Sequence, residues 1–207
     1  MRSVLPVVAA ALLSAGCGAR SSLPEGGPAD IPPGGGLLLT QGTLTKWVSP
    51  VDRDRDVVAF YDYTSDSGHT GFEALEKSEL FFYSDTTTGI VSLVTEHGID
   101  QNSSGLAQPE GLVDQTFSGL PDGVTIAVAD DNSMEFFMPS PTTAQGKWQF
   151  DLNTDGGALT GFPVPGSWSV KITADFIEGI DAWRFFGPEE IPLDLTEPVT
   201  LTAYEAD

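Results

Sequence analysis

From Leu37 onward apolar and polar residues alternate with a period of two rather than the 3.6 of a helix. Turn-forming residues interrupt the pattern at intervals of about 8–12 residues. Such a pattern sends successive side chains to opposite faces of a pleated ribbon, so each segment can bury only one of its faces. Strands are expected over residues 38–48, 56–64, 79–83, 90–95, 115–120, 124–129, 134–138, 147–152, 168–174, 182–186 and 199–205. The breaks carry turn chemistry: Pro121-Asp122-Gly123, Asp131-Asn132-Ser133, Asp155-Gly156-Gly157 and the segment 163–166. Between residues 83 and 90, Ser-Asp-Thr-Thr-Thr-Gly reads as a hairpin with Gly89 at positive φ. The best helical stretch, residues 72–80, is short. This spacing predicts an all-β fold, an antiparallel β-sandwich of the jelly-roll or immunoglobulin-like kind.

The chain has 207 residues, 40% of them apolar, enough for one sizeable core. Thirty Asp and Glu face nine Lys and Arg, a formal charge of −21. That field repels phosphate backbones, so no nucleic acid is expected as a partner. Residues 18–36 hold six glycines and four prolines and read as a flexible tether. The remainder, residues 37–207, reads as one acidic domain, with residues 101–114 as a long loop.

The first sixteen residues carry a different message. Arg2 gives a small positive start, residues 4–13 form an apolar run too short to span a bilayer, and Ser14, Ala15 and Gly16 are small. Cys17, the sole cysteine, follows at once. This segment resembles the signal of bacterial lipoproteins, whose lipobox ends in a small residue followed by cysteine. The resemblance implies cleavage after Gly16, with residues 1–16 as signal peptide. Cys17 would be lipidated, palmitate being one acyl chain it carries, and would begin a tether over residues 17–36. It also implies a cell-envelope location through the lipid alone. Gly18 in place of aspartate favours the outer membrane if the source is Gram-negative. Two or three acyl chains hold firmly where one is marginal.

Candidate chemistry is sparse. His69 and His97 both read as solvent-facing loop residues, and no serine stands in a nucleophile elbow. Paired carboxylates would suit a glycan hydrolase, but thirty acids place some pair at a workable separation by accident. The run 52–56 (Asp-Arg-Asp-Arg-Asp) reads as edge protection for a sheet. Trp148 and Trp168 share the apolar faces of alternating strands and belong to the core. Trp183, in Trp-Arg-Phe-Phe, is the expected exposed aromatic and ligand contact, as in a carbohydrate-binding module. Finally, Asp151, Asn153 and Asp155 followed by Gly156 fit the first half of a calcium loop, whose alternate oxygens converge on one ion. The competing reading is a hairpin turn over residues 153–157. The function expected from sequence is therefore an envelope lipoprotein with a non-catalytic binding or structural domain, calcium-dependent or not, whose partner is a glycan or protein.

Overall fold

The computed structural model describes residues 31–205 except 102–104, 106–109 and 132–133. The lipobox and Cys17 lie outside the described residues. Strand makes up about 55% of what is described and helix about 4%, in two sheets packed face to face. The all-β sandwich read from the sequence is the fold.

Sheet A runs β2 (Leu44–Val48), β1 (Gly36–Gln41), β14 (Val199–Tyr204), β11 (Trp168–Glu178), β6 (Gly111–Ser118), β9 (Thr143–Phe150) and β8 (Phe136–Ser140), antiparallel throughout. Sheet B runs β13 (Ile191–Leu193), β12 (Ala182–Phe185), β4 (Lys77–Asp85), β5 (Ile90–His97), β10 (Asp155–Phe162) and β7 (Thr125–Ala129). Here the pairing is mixed. Strand β12 and the short β3 (Val51–Arg53) both pair parallel to β4, at its two ends. The interior between the sheets is filled by Trp148, Trp168, Phe82, Phe117, Phe185 and their neighbours, so the two core tryptophans stand where alternation put them.

Registers fix the two ends of the sandwich. Gly36 pairs with Tyr204, and Ala203 with Trp168. Farther along, Asp175 pairs with Asp114, and Gly111 with Phe150. The chain thus enters at the Gly36 end, and β9 delivers Phe150 to the opposite end. With about 3.3 Å per residue, the length of β11 separates these ends by roughly 30 Å.

Several local expectations are corrected. Residues 56–64 do not form a strand despite their β-branched and aromatic content. Asp56 caps a short helix, α1 (Val57–Tyr61), by accepting the Ala59 N–H at 2.7 Å, and Asp62 closes it in the left-handed region at φ 49°. Capping and the burial of Val57, Phe60 and Tyr61 outweigh intrinsic propensity. Residues 72–80 are not helical, because their second half extends into β4. The long loop read over 101–114 ends early, since β6 opens at Gly111. Strand β10 was hidden by its glycines. A Cβ on Gly157 would come within 2.7 Å of Phe136 and of the Val128 carbonyl, and one on Gly156 would collide with the Thr95 carbonyl. Close packing thus demands glycine inside a strand, where the sequence suggests a turn.

Candidate functional site

Residues 151–154 do not close a hairpin. They carry the chain from β9 in sheet A to β10 in sheet B, across the end of the sandwich remote from Gly36. Ser67 fastens this crossover, its Oγ accepting the Thr154 N–H at 2.9 Å, while the Gln101 N–H donates to the Leu152 carbonyl at 2.8 Å. Around the crossover gather Asp130 and Asp131 after β7, Glu135 before β8, and Asp155 at the start of β10. Segment 62–66, following α1, arches over them with Asp62, Ser65 and Asp66 all at positive φ. Three non-glycine residues in that region mark a strained loop.

Two tyrosines reach into the cluster. Tyr61 Oη donates to Asp130 Oδ2 at 2.7 Å, and Tyr63 Oη donates to Asp131 Oδ1 at 2.7 Å. Asp155 is 4% exposed, and its Oδ1 accepts the Gly156 N–H at 2.8 Å. Ionised, its Oδ2 faces no donor among the described residues; protonated, it donates to Glu135. Asp130 Oδ1 and the Thr154 hydroxyl are likewise buried without partners among the described residues. Burial first, then the neighbouring carboxylates, pushes Asp155 up to about 9. Asp130 is raised to about 7 chiefly by burial, against the pull of the Tyr61 hydroxyl. Among the described residues no Lys or Arg forms an ion pair with Asp130, Asp131, Glu135 or Asp155.

A cavity of about 270 Å³ opens at this end, lined by Asp66, Asp131, Asp155, Asp151, Asn153, Thr154, Leu152, Gln149 and Phe150. Asp151, Asn153 and Asp155, grouped in sequence as a possible calcium loop, therefore share one cavity. Yet Asp155 belongs to a strand rather than a loop. Among the described residues no three His, Cys, Asp or Glu side chains are grouped to hold a metal ion.

The other expected site residues fall elsewhere. Trp183 is not exposed. It is 1% exposed on β12, packed edge-on against Phe176, because a strand beside β4 in this sheet is covered on its inner face by the opposite sheet. His97 is buried too, its Nδ1 3.0 Å from Ser78 Oγ and its ring against Trp148. Burial pushes its pKa down to about 3, which keeps it neutral. His69 is partly covered. Its Nδ1 lies 3.1 Å from the Asp62 carbonyl and its Nε2 3.2 Å from Asp100. Burial pulls its pKa down, but the carbonyl and the carboxylate outweigh that and raise it overall. With both ring nitrogens engaged, His69 serves as a clasp. The large apolar side chains exposed among the described residues are Val58, Tyr63, Ile90, Met134, Leu152 and Ile177, so no aromatic platform stands there.

No family model, curated protein or solved structure matches this chain.

A further set of buried acids escapes sequence reasoning altogether. Glu79 and Glu96 sit opposite each other on β4 and β5 and are 0% exposed. Arg184 grips Glu79 with Nε and Nη2, and Thr70 covers Glu96 with its hydroxyl 2.8 Å from Oε2. In a chain with thirty acids, nothing local distinguishes these two.

Proposed function

We propose that this chain is a lipid-anchored protein of the bacterial cell envelope whose one acidic β-sandwich binds and does not catalyse. Its binding site is the carboxylate-lined end that takes up a cation. The observation that carries the reading is Asp155, a buried carboxyl that borders an open cavity and pairs with no Lys or Arg among the described residues. Burying an unpaired charge is costly, so such a group either holds a proton or awaits a positive partner. The anchor rests on Cys17, the sole cysteine, placed directly after an apolar run and three small residues. The registers support the arrangement, because the tether enters at one end and the acidic cavity faces away at the other.

Calcium is the inorganic cation that the spacing of Asp151, Asn153 and Asp155 suits, with main-chain carbonyls and water completing its six to eight oxygens. Thermal unfolding with calcium, with magnesium at equal ionic strength and with chelator tests it. A calcium-specific rise that vanishes in Asp155→Ala supports calcium. For the anchor, palmitate labelling in bacteria should be lost in Cys17→Ala, and equal labelling of the variant would refute it.

A further inference from the structure

We propose that residues 69–76 form a strap latched onto sheet B by two shared protons, one between Thr70 and Glu96 and one between His69 and Asp100, and that the strap lifts when rising pH removes them. The first latch follows from counting hydrogens at Thr70. Its Oγ1 lies 2.8 and 3.0 Å from the two Glu96 oxygens and 3.1 Å from Glu73 Oε2, and it accepts the Phe72 N–H at 3.0 Å. A hydroxyl has one hydrogen to donate. It cannot serve two ionised carboxylates at once, so one of them brings a proton of its own. Glu73 Oε2 has a second donor, the Gly71 N–H at 2.7 Å. Glu96 is fully buried, with Thr70 as its side-chain hydrogen-bond partner among the described residues. The proton therefore sits on Glu96.

The second latch is one residue away. His69 Nδ1 lies 3.1 Å from the Asp62 carbonyl, nearer than the Thr64 hydroxyl at 3.4 Å, and Nε2 lies 3.2 Å from Asp100 Oδ2. A carbonyl only accepts, so Nδ1 carries hydrogen. The contact of Nε2 with the carboxyl then needs one proton more than a neutral imidazole and a carboxylate hold between them.

The surroundings set the direction. Around Glu96 stand Glu73 of the strap, Glu79 of β4, Tyr61 of α1 and Arg184 of β12, while β10 presents Gly156. The Arg184 guanidinium is committed to Glu79 and Glu190. Asp100 and Glu73 face His69. An ionised Glu96 is thus set against Glu73 and Glu79, and a neutral His69 no longer offsets Asp100. Both pKa values are raised, Glu96 by burial and by Glu73, His69 against burial by the Asp62 carbonyl and Asp100. Both latches therefore hold in mild acid and release as pH climbs. The backbone permits the movement. Among the described residues no main-chain hydrogen bond ties 70–73 to another element, and Gly71 and Glu76 stand at positive φ on either side of 72–75. Beyond the latches, Phe72 holds the strap by packing on Phe186 at 4.2 Å between centroids.

The test is hydrogen–deuterium exchange of the full chain in mild non-ionic detergent at pH 5, 7 and 9, with protection corrected for the intrinsic rate at each pH. Residues 69–76 are expected to lose protection by about tenfold or more between pH 5 and 9, while residues 111–118 of β6 keep theirs. Glu96→Gln and Asp100→Asn each replace a shared proton by an amide hydrogen that rising pH does not remove. The double variant, its fold checked by circular dichroism, should keep the strap protected at all three pH values. Glu96→Gln alone should reduce the loss. Constant protection of 69–76 in the unaltered protein overturns the strap. A loss of unchanged size in Glu96→Gln and in the double variant overturns the two latches as its cause. A loss shared equally by β6 is opening of the whole domain and overturns the proposal as well.

Discussion

The outer faces of the two sheets obey different rules. In sheet A, strands β6 and β9 alternate buried with more exposed positions, and acids such as Asp114 stay near water, paired with Lys147 at 2.9 Å. In sheet B, β4 and β5 are buried on both faces for most of their length. A second apolar cluster covers the outside of sheet B, where Val57, Phe60 and Tyr61 of α1 meet Phe81, Tyr83, Val94, Val128 and Ala158. The acids on that face, Glu79 and Glu96, are covered by Arg184 and Thr70, and Asp130 is held by Tyr61. One composition thus yields two kinds of acid. Those on sheet A carry charge into solvent, while those on sheet B must find a cation, a hydroxyl or a proton.

The largest way to break this contrast is to open the cover. Phe60 is buried and stacked on Tyr83 at 4.4 Å between ring centroids. Phe60→Ala is expected to cost about 3–5 kcal/mol in urea unfolding. A loss below about 1 kcal/mol would mean that the outer cluster of sheet B is no true core.

Next comes the buried pair. Arg184→Met leaves Glu79 without its cation and should destabilise by about 3 kcal/mol at neutral pH. The loss should shrink in mild acid, where burial already raises the Glu79 pKa and the carboxyl can protonate. A loss equal at both pH values would show that the arginine acts by packing alone.

The pH profile follows from the same seal. Glu96 is raised well above the ordinary carboxylate range by burial and by Glu73, and Asp130 is raised to about 7 by burial. A raised carboxyl binds its proton more tightly in the folded state. Stability therefore falls as pH climbs from about 4 through 7 and beyond, by about 1.4 kcal/mol per pH unit for each proton held. His97 works the other way, because its folded pKa near 3 withdraws stability as pH drops below about 6.5. Urea midpoints from pH 3 to 9 should peak in mild acid, and a maximum at pH 8 would contradict the sealed acids.

The smallest effect sharpens the contrast from the other side. Lys147→Ala breaks the exposed pair with Asp114 and should change stability by less than about 1 kcal/mol. A loss matching that of Arg184→Met would erase the distinction between the faces.

The sheets were more legible than the seal. Alternation in β6, β9 and β11 predicts one buried face, and Gly89, at φ 74°, turns the β4–β5 hairpin as expected. Strand β10 was unreadable, because Asp155-Gly156-Gly157 is turn chemistry unless the backbones of β5 and β7 are known to press against it. The helical cover was unreadable for the opposite reason, since residues 57–61 look like strand until Asp56 is seen as a cap. With the cover missed, no acid on sheet B could be told from those on sheet A. Of the cavity wall, Asp151, Asn153 and Asp155 are neighbours in the sequence and so legible together. Asp130, Glu135, Tyr61 and Asp66 come from distant segments and are joined only by the crossover.

The position of β1 has a mechanical consequence. It lies between β2 and β14, with five residue pairs on each side, and the chain enters it at Gly36, at the end opposite Asp155. A pull on the chain at Gly36 against a load held at Asp155 runs parallel to the strands. The hydrogen bonds on both flanks of β1 would then be sheared together rather than peeled one at a time. Of the ways to grip this domain, end to end is the one in which its first strand yields last.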